Sequence, residues 1–329
     1  MKKEKQNKLT SSLLAGDRMA LAKAITLIES ASPKHQSEAQ KIMDAILPYT
    51  GKSIRIGITG VPGVGKSTFI EALGNYLISN KKKKVAVLAI DPTSTVSKGS
   101  ILGDKTRMAN LARNENAFIR PSPSAGEQGG VAAATRESML LCEAAGYDVI
   151  IVETMGVGQS ETAVHSMVDF LLLLLLPGAG DELQGMKRGI VELADLLAIN
   201  KADGDNLQKV KLAQAAYTQA LRLFPPDERG WHSDVVTCSA ITGAGIPEIW
   251  SLITEFEQLT KGNGSFAENR KVQSSYWLKE QLATLLIKKI SEKRKVKKRL
   301  SQLEKMVQEG KMSVFSAAKE LSGSLAVNP

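Results

Sequence analysis

The sequence predicts an α/β fold of three layers, a mostly parallel sheet between two layers of helices, on two observations. Between Ile54 and about Ser239, short apolar runs alternate with longer helical stretches, the pattern of a sheet covered on both faces. The first run leads directly into Gly60-Val61-Pro62-Gly63-Val64-Gly65-Lys66-Ser67, and that glycine-rich segment opens a helix at Thr68-Phe69-Ile70.

Seven strands are predicted: Ile54 to Thr59, Val85 to Ile90, Ala117 to Arg120, Val149 to Glu153, Phe170 to Leu176, Leu196 to Asn200 and Val235 to Cys238. Their connections are long enough for the crossovers that parallel strands require. Phe170 to Leu176 is the most apolar stretch; it is closed by Pro177-Gly178 and falls far short of the ~20 residues of a spanning helix, so it reads as a buried strand. Before the sheet, Asp17 to Ser30 and His35 to Leu47 place Met19, Ala22, Ile25 and Ile28, then Ile42 and Ile46, at helical spacing, giving two packing helices. After it, Ile246 to Thr260 is the last core helix, and Lys261-Gly262-Asn263-Gly264 breaks it. From Phe266 onward the chain is helical, charged and free of proline until its terminus, a tail unable to bury much of itself and suited to packing on a second subunit.

Composition excludes wholesale disorder, since 43% of the 329 residues are hydrophobic and 23% charged. The formal net charge of +9 is largely local. Lys81 to Lys84 form one basic run, and residues 288–299 form another, with Glu292 the only acid among eight bases. Neither run is interleaved with aromatic residues, so both read as solvated surface, and neither nucleic acid nor membrane is expected as a partner. Cys142 and Cys238 make no CxxC pair and fit reduced thiols. The N-terminus lacks the apolar run of a signal peptide and the arginines of a transit sequence; a cytoplasmic protein is expected.

The segment Gly60 to Ser67 fits GxxxxGK[ST] in the strand-to-helix context that this phosphate-binding loop demands. Its glycines let backbone N–H groups turn toward phosphates, and the helix N-terminus adds roughly half a positive charge. Lys66 is placed to hold the β and γ phosphates and Ser67 to coordinate magnesium, with Thr68 completing the nucleotide-binding run. Further hard oxygen ligands are expected at the C-terminal ends of parallel strands, where Asp91 ends VAVLAI and Glu153 ends DVIIV in the order E-T-M-G. Asn200-Lys201-Ala202-Asp203 supplies a base pocket: the Asp203 carboxylate can accept from both guanine N1–H and the 2-amino group, which adenine does not offer. Ser239 and Ala240, after the last strand, place a backbone N–H toward guanine O6. Gln159 follows Gly156, but Val157 stands where small GTPases place their glutamine, so the water-activating residue is not marked. His35, His165 and His232 form no metal cluster.

These motifs, in the longer segments GITGVPGVGKSTFIEALG, DPTS, GSILGDKTRM, RPSPS, VETMGVGQSE, PGAGDELQGMKRG and NKAD, resemble the MeaB/ArgK family over nearly the whole chain. That family comprises GTPase chaperones of adenosylcobalamin-dependent methylmalonyl-CoA mutase. The resemblance implies a P-loop domain over residues 51–262, preceded by a helical segment over 1–50 and followed by a helical dimerisation arm over 263–329. It implies that Asp91, Asp104 and Glu153 serve magnesium with Ser67, that Lys66, Glu153 and Asp104 carry hydrolysis, and that Asp104 lies in a first switch loop while Glu153 opens a second. A third switch loop over Gly178 to Arg188, with Gln184 and Lys187, would couple nucleotide state to the mutase. The chaperone would protect the mutase and gate its cofactor loading. A metallochaperone-type GTPase shares the nucleotide motifs but needs Cys/His clusters, and a P-loop kinase acting on a protein or small molecule conflicts with NKAD.

Overall fold

The computed structural model describes residues 2–30, 32–90, 108–121, 128–154, 160–178, 188–225, 227–291 and 294–326. Its centre is a seven-stranded sheet: β1 Ile54–Gly60, β2 Val85–Ile90, β3 Ala117–Pro121, β4 Val149–Thr154, β5 Phe170–Leu175, β6 Leu196–Ile199 and β7 Asp234–Thr237. The order is β3-β2-β4-β1-β5-β6-β7, and every pairing is parallel. Each predicted strand is present, with ends displaced by one residue at most.

Around the sheet lie α1 Lys2–Leu14, α2 Arg18–Glu29, α3 Pro33–Ile46, α4 Lys66–Lys81, α5 Ala109–Arg113, α6 Gln128–Ala144, α7 Ser160–His165, α8 Arg188–Leu193, α9 Leu207–Leu221 and α10 Ile246–Gly262. Alternate strand residues, among them Ile56, Ile58, Val87, Ile151, Leu172 and Leu174, point into one core with Phe69, Ile70 and Leu73 of α4 and Ile249, Ile253 and Phe256 of α10. On the other face α7 approaches β1 so closely that a Cβ at Gly57 would stand 2.8 Å from a Val164 methyl. Strands buried on both faces explain why the sequence shows them as near-continuous apolar runs.

The N-terminal helices pack on α6, as expected, but there are three rather than two. Helix α1 runs through the basic segment Lys2–Leu14, where Leu13 is fully buried. Asp17 then caps α2, its carboxylate accepting from the N–H groups of Met19 and Ala20 at 2.7 and 3.0 Å.

Contacts divide the chain into two units, residues 1–273 and 274–329. Helix α11, Ser265–Ser291, begins in the first. Its Arg270 grips the edge of the sheet remote from the glycine-rich loop: Nε and Nη2 donate to the two Asp169 oxygens at 2.7 and 2.6 Å, and Nη2 also to the Ser53 carbonyl at 2.7 Å. Asp169 accepts in turn from the Arg55 N–H at 2.8 Å, and Gln273 donates to the Val168 carbonyl at 2.7 Å. The second unit holds the remainder of α11, then α12 Arg294–Gln308 and α13 Val314–Ala326. The tail is therefore helical, as its composition indicates. Among the described residues, no helix is long and apolar enough to cross a membrane.

Candidate nucleotide site

The ends of β1, β4, β6 and β7 bring their following residues to one edge of the sheet, where ligands of open α/β sheets bind. Gly60 ends β1 against β5, and a Cβ there would meet the Leu174 carbonyl oxygen at 2.5 Å. Gly65 precedes α4 with φ +95°, and a Cβ there would lie 2.9 Å from Asn200 Nδ2. Side chains at either place would push the loop off the strands it must lie against. Between these glycines run Val61, Pro62, Gly63 and Val64; then Lys66, Ser67 and Thr68 form the first turn of α4, whose N-terminal N–H groups lack intrahelical partners and can receive an anion.

Lys66 is buried in this loop, with Nζ donating to the carbonyls of Gly60 at 2.7 Å and Val61 at 3.3 Å. Those carbonyls hold the ammonium over the concavity of the loop. At the next residue, the Ser67 hydroxyl donates to Glu153 Oε1 at 2.9 Å, although 86 positions separate them. Glu153 is 2% exposed at the end of β4, opposite Ile58 of β1 and Ala89 of β2.

This pair fits a small divalent cation. Adjacent oxygens on an octahedron with metal–oxygen bonds of about 2.1 Å are about 3 Å apart, close to the Ser67–Glu153 separation, and both are hard donors. Asp91 and Asp104, the other two expected ligands, lie outside the described residues, as do Gln184 and Lys187. Among the described residues, no group of three or more His, Cys, Asp or Glu side chains is arranged to hold a metal ion.

The segment expected to read the base is built around Asn200, which is 2% exposed. Its Nδ2 donates to the Val64 carbonyl at 2.8 Å, and its Oδ1 accepts from the Ala240 N–H at 3.1 Å and the Cys238 thiol at 3.7 Å. Burial pushes the Cys238 thiol up to about 12, so it remains a donor near neutral pH. Lys201 adopts φ +62°, one of two positive values among described non-glycine residues, and this backbone reversal precedes Asp203. The Ser239 hydroxyl donates to Asp203 Oδ2 and accepts from the Thr242 N–H at 3.1 Å, fixing the carboxylate at the loop that follows β7. The structure thus brings together Gly60 through Thr68, Glu153, Asn200, Lys201, Asp203, Ser239 and Ala240. The contact of Cys238 with Asn200 is not expected from the sequence, although Cys238 stands immediately before Ser239.

A family model described as methylmalonyl-CoA mutase-associated GTPase MeaB matches residues 21–295. The chain belongs to that family. This MeaB-family GTPase is 52% identical to the GTPase ArgK of Escherichia coli over 269 residues, 82% of this chain and 81% of that one. It is 47% identical to a probable GTPase of Mycobacterium tuberculosis over 313 residues, 95% and 93% of the two chains. The mitochondrial methylmalonic aciduria type A homolog of Mus musculus is 41% identical over 322 residues, 95% of this chain and 77% of its own. A crystal structure described as LAO/AO transport system kinase superposes with a TM-score of 0.77 at 40% identity, covering 98% of both chains. The guanine nucleotide read from NKAD is the substrate that the family's name carries.

Proposed function

We propose that this GTPase is a nucleotide-dependent chaperone of an adenosylcobalamin-dependent acyl-CoA mutase, with methylmalonyl-CoA mutase as the first candidate, protecting the mutase and gating cofactor loading. The single observation that carries the GTP chemistry is the meeting of Ser67 and Glu153 beside Lys66, in the loop that Asn200 ties to Ala240. The mutase assignment is carried by the family's name.

In this reading the loop N–H groups and Lys66 bind the phosphates and Asp203 holds the base; the Ala240 N–H, which donates to Asn200 in this structure, would turn to O6 once guanine is bound. Ser67 and Glu153, with Asp91 and Asp104, would hold magnesium, which would supply neutralisation of phosphate charge. Water attacks the γ-phosphate in line while Lys66 offsets the negative charge that develops. Catalysis is then mostly positioning, and intrinsic turnover is slow until a partner accelerates it.

The helical tail from residue 263 is the dimerisation arm of this reading. Along α11, Leu278, Leu282, Leu285, Leu286 and Ile287 are each at least 49% exposed, a concentration of aliphatic surface that a second copy of the chain would cover. A cytoplasmic setting accords with two buried cysteines, Cys142 and Cys238, that are free thiols.

The test is single-turnover GTP hydrolysis with and without purified methylmalonyl-CoA mutase, paired with co-sedimentation in GDP and in a non-hydrolysable GTP analogue. The expected result is nucleotide-dependent complex formation and faster hydrolysis. No complex in either nucleotide state overturns the mutase assignment and leaves the GTPase intact.

A further inference from the structure

Strands β1 and β4 run in register from Ile54 opposite Val149 to Ile58 opposite Glu153, and there their ladder stops. Beyond that point β1 continues with β5, Thr59 facing Leu173 and Gly60 facing Leu174, while β4 continues with β2, Thr154 facing Ile90. The two strands that carry the phosphate loop and Glu153 therefore lose their mutual pairing at Glu153 itself, two residues before Gly60. A side-chain bond takes over at that step. Thr154 Oγ1 donates to Thr59 Oγ1 at 2.9 Å, with the Ile58 carbonyl 3.5 Å away, and both threonines are fully buried.

We propose that Thr154 is a positioning residue for GTP hydrolysis, its hydroxyl bond to Thr59 fixing Glu153 against Ser67 of the phosphate loop. Three links support this. Thr59 directly precedes Gly60, whose carbonyl holds Lys66; Thr154 directly follows Glu153, whose carboxylate accepts from Ser67; and the hydroxyl bond joins the two where the ladder ends. A β-branched side chain, restricted at χ1, holds its hydroxyl more rigidly than a longer polar side chain would. Buried away from water, the bond is not exchanged for solvent contacts, and its loss frees the two strand ends to shift independently. Displacements on the order of 1 Å at reacting groups cost about a hundredfold in rate.

The inference rests on Glu153 and Ser67 acting on the magnesium side of the site, and the experiment separates the two claims. Thr154→Val keeps the shape and removes the hydroxyl; Thr154→Ser keeps the hydroxyl; Thr59→Val removes the other partner; Glu153→Ala tests the underlying reading. For each, GDP affinity, single-turnover GTP hydrolysis at saturating magnesium and the thermal midpoint are measured on the full chain. Thr154→Val and Thr59→Val should each bind GDP within about threefold of the unaltered protein while hydrolysis falls at least about tenfold, and Thr154→Ser should restore most of the rate. Hydrolysis at the native rate in folded Thr154→Val overturns the proposal, as does a parallel loss of GDP affinity and rate, or failure of serine to restore the rate. Should Thr154→Val fail to fold, Thr154→Ser against Thr59→Val decides the matter by the same criteria. Full hydrolysis in Glu153→Ala would instead sink the site reading itself, whatever the threonine variants do.

Discussion

Asn200 and Val64, 136 positions apart, are joined by a 2.8 Å hydrogen bond from the Asn200 amide to the Val64 carbonyl. The same amide's oxygen receives the Ala240 N–H, so one buried side chain ties the glycine-rich loop to the segments that follow β6 and β7. Asn200→Ala leaves these groups buried without partners, each costing about 1–3 kcal/mol. GDP affinity should fall by about tenfold to a thousandfold, read by fluorescence titration, and the thermal midpoint should drop with it. Unchanged affinity would show that the tie does not organise the pocket.

Asp203→Asn should shift base preference from guanine toward xanthine, because an amide can donate to the 2-carbonyl that xanthine carries in place of the amino group. Competition titrations with GTP, XTP and ATP read the change directly. Ser239→Ala should weaken GTP binding in the same direction but less, since it removes the donor that fixes the Asp203 carboxylate and leaves the carboxylate present. Equal GTP and ATP affinity in the unaltered protein would remove the basis of both expectations.

Lys66 and Glu153 should separate binding from turnover. Lys66→Ala removes the ammonium from the phosphate loop and should weaken both GDP and GTP binding by at least about tenfold. Glu153→Ala, and Asp104→Ala on the family resemblance, should leave GDP binding largely intact and depress single-turnover hydrolysis by about a hundredfold. The discriminating measurement is GDP affinity beside the hydrolysis rate in each variant; a uniform loss of both in Glu153→Ala argues against a role centred on the γ-phosphate.

Gln184→Ala and Lys187→Ala, in the expected third switch loop, should retain GDP binding while losing most of the acceleration that the mutase produces, because coupling is separable from binding. Hydrolysis with and without purified mutase tests this. Full acceleration in both variants would detach that loop from coupling.

Asp195 gives a pH prediction. Burial lifts its carboxyl to about 6 from the usual 3.8, against the opposing pull of Arg229 and of the Leu171 N–H, while Asp227 adds to the rise. The folded chain then binds a proton that the unfolded chain has released between those values. Stability contributed by this group is present below about pH 4 and is lost as pH rises to about 6, by at most about 1.4 kcal/mol per unit. Urea unfolding of the unaltered protein and Asp195→Asn across that window should give a stability difference that drifts against the unaltered protein as pH rises, then levels off above about 6. A flat difference would show that Arg229 holds the carboxylate ionised throughout.

The parts of this molecule legible in its sequence are those written in local pattern. Phe170 to Leu175 announces a strand because both of its faces are buried, and Gly60 to Ser67 announces a phosphate loop because each residue type is demanded by a close approach or a ligand. Helix α1 was not legible, since its mean composition is polar and, among its described side chains, Leu13 is the one that is fully buried. Pairings at long range were equally hidden. Nothing near Thr154 points to Thr59, and nothing near Arg270 points to Asp169, 101 positions away. Such partners are set by which strands become neighbours, a property of the assembled sheet.

The Arg270 grip on Asp169 lies at the start of β5 and beside the start of β1, the ends opposite to Gly60 and the phosphate loop. Attachment of α11 and handling of the nucleotide thus draw on the same strands without sharing a residue. Substitutions in the helices beyond Gln273 leave every residue of the glycine-rich edge in place, and substitutions at that edge leave the anchoring arginine undisturbed.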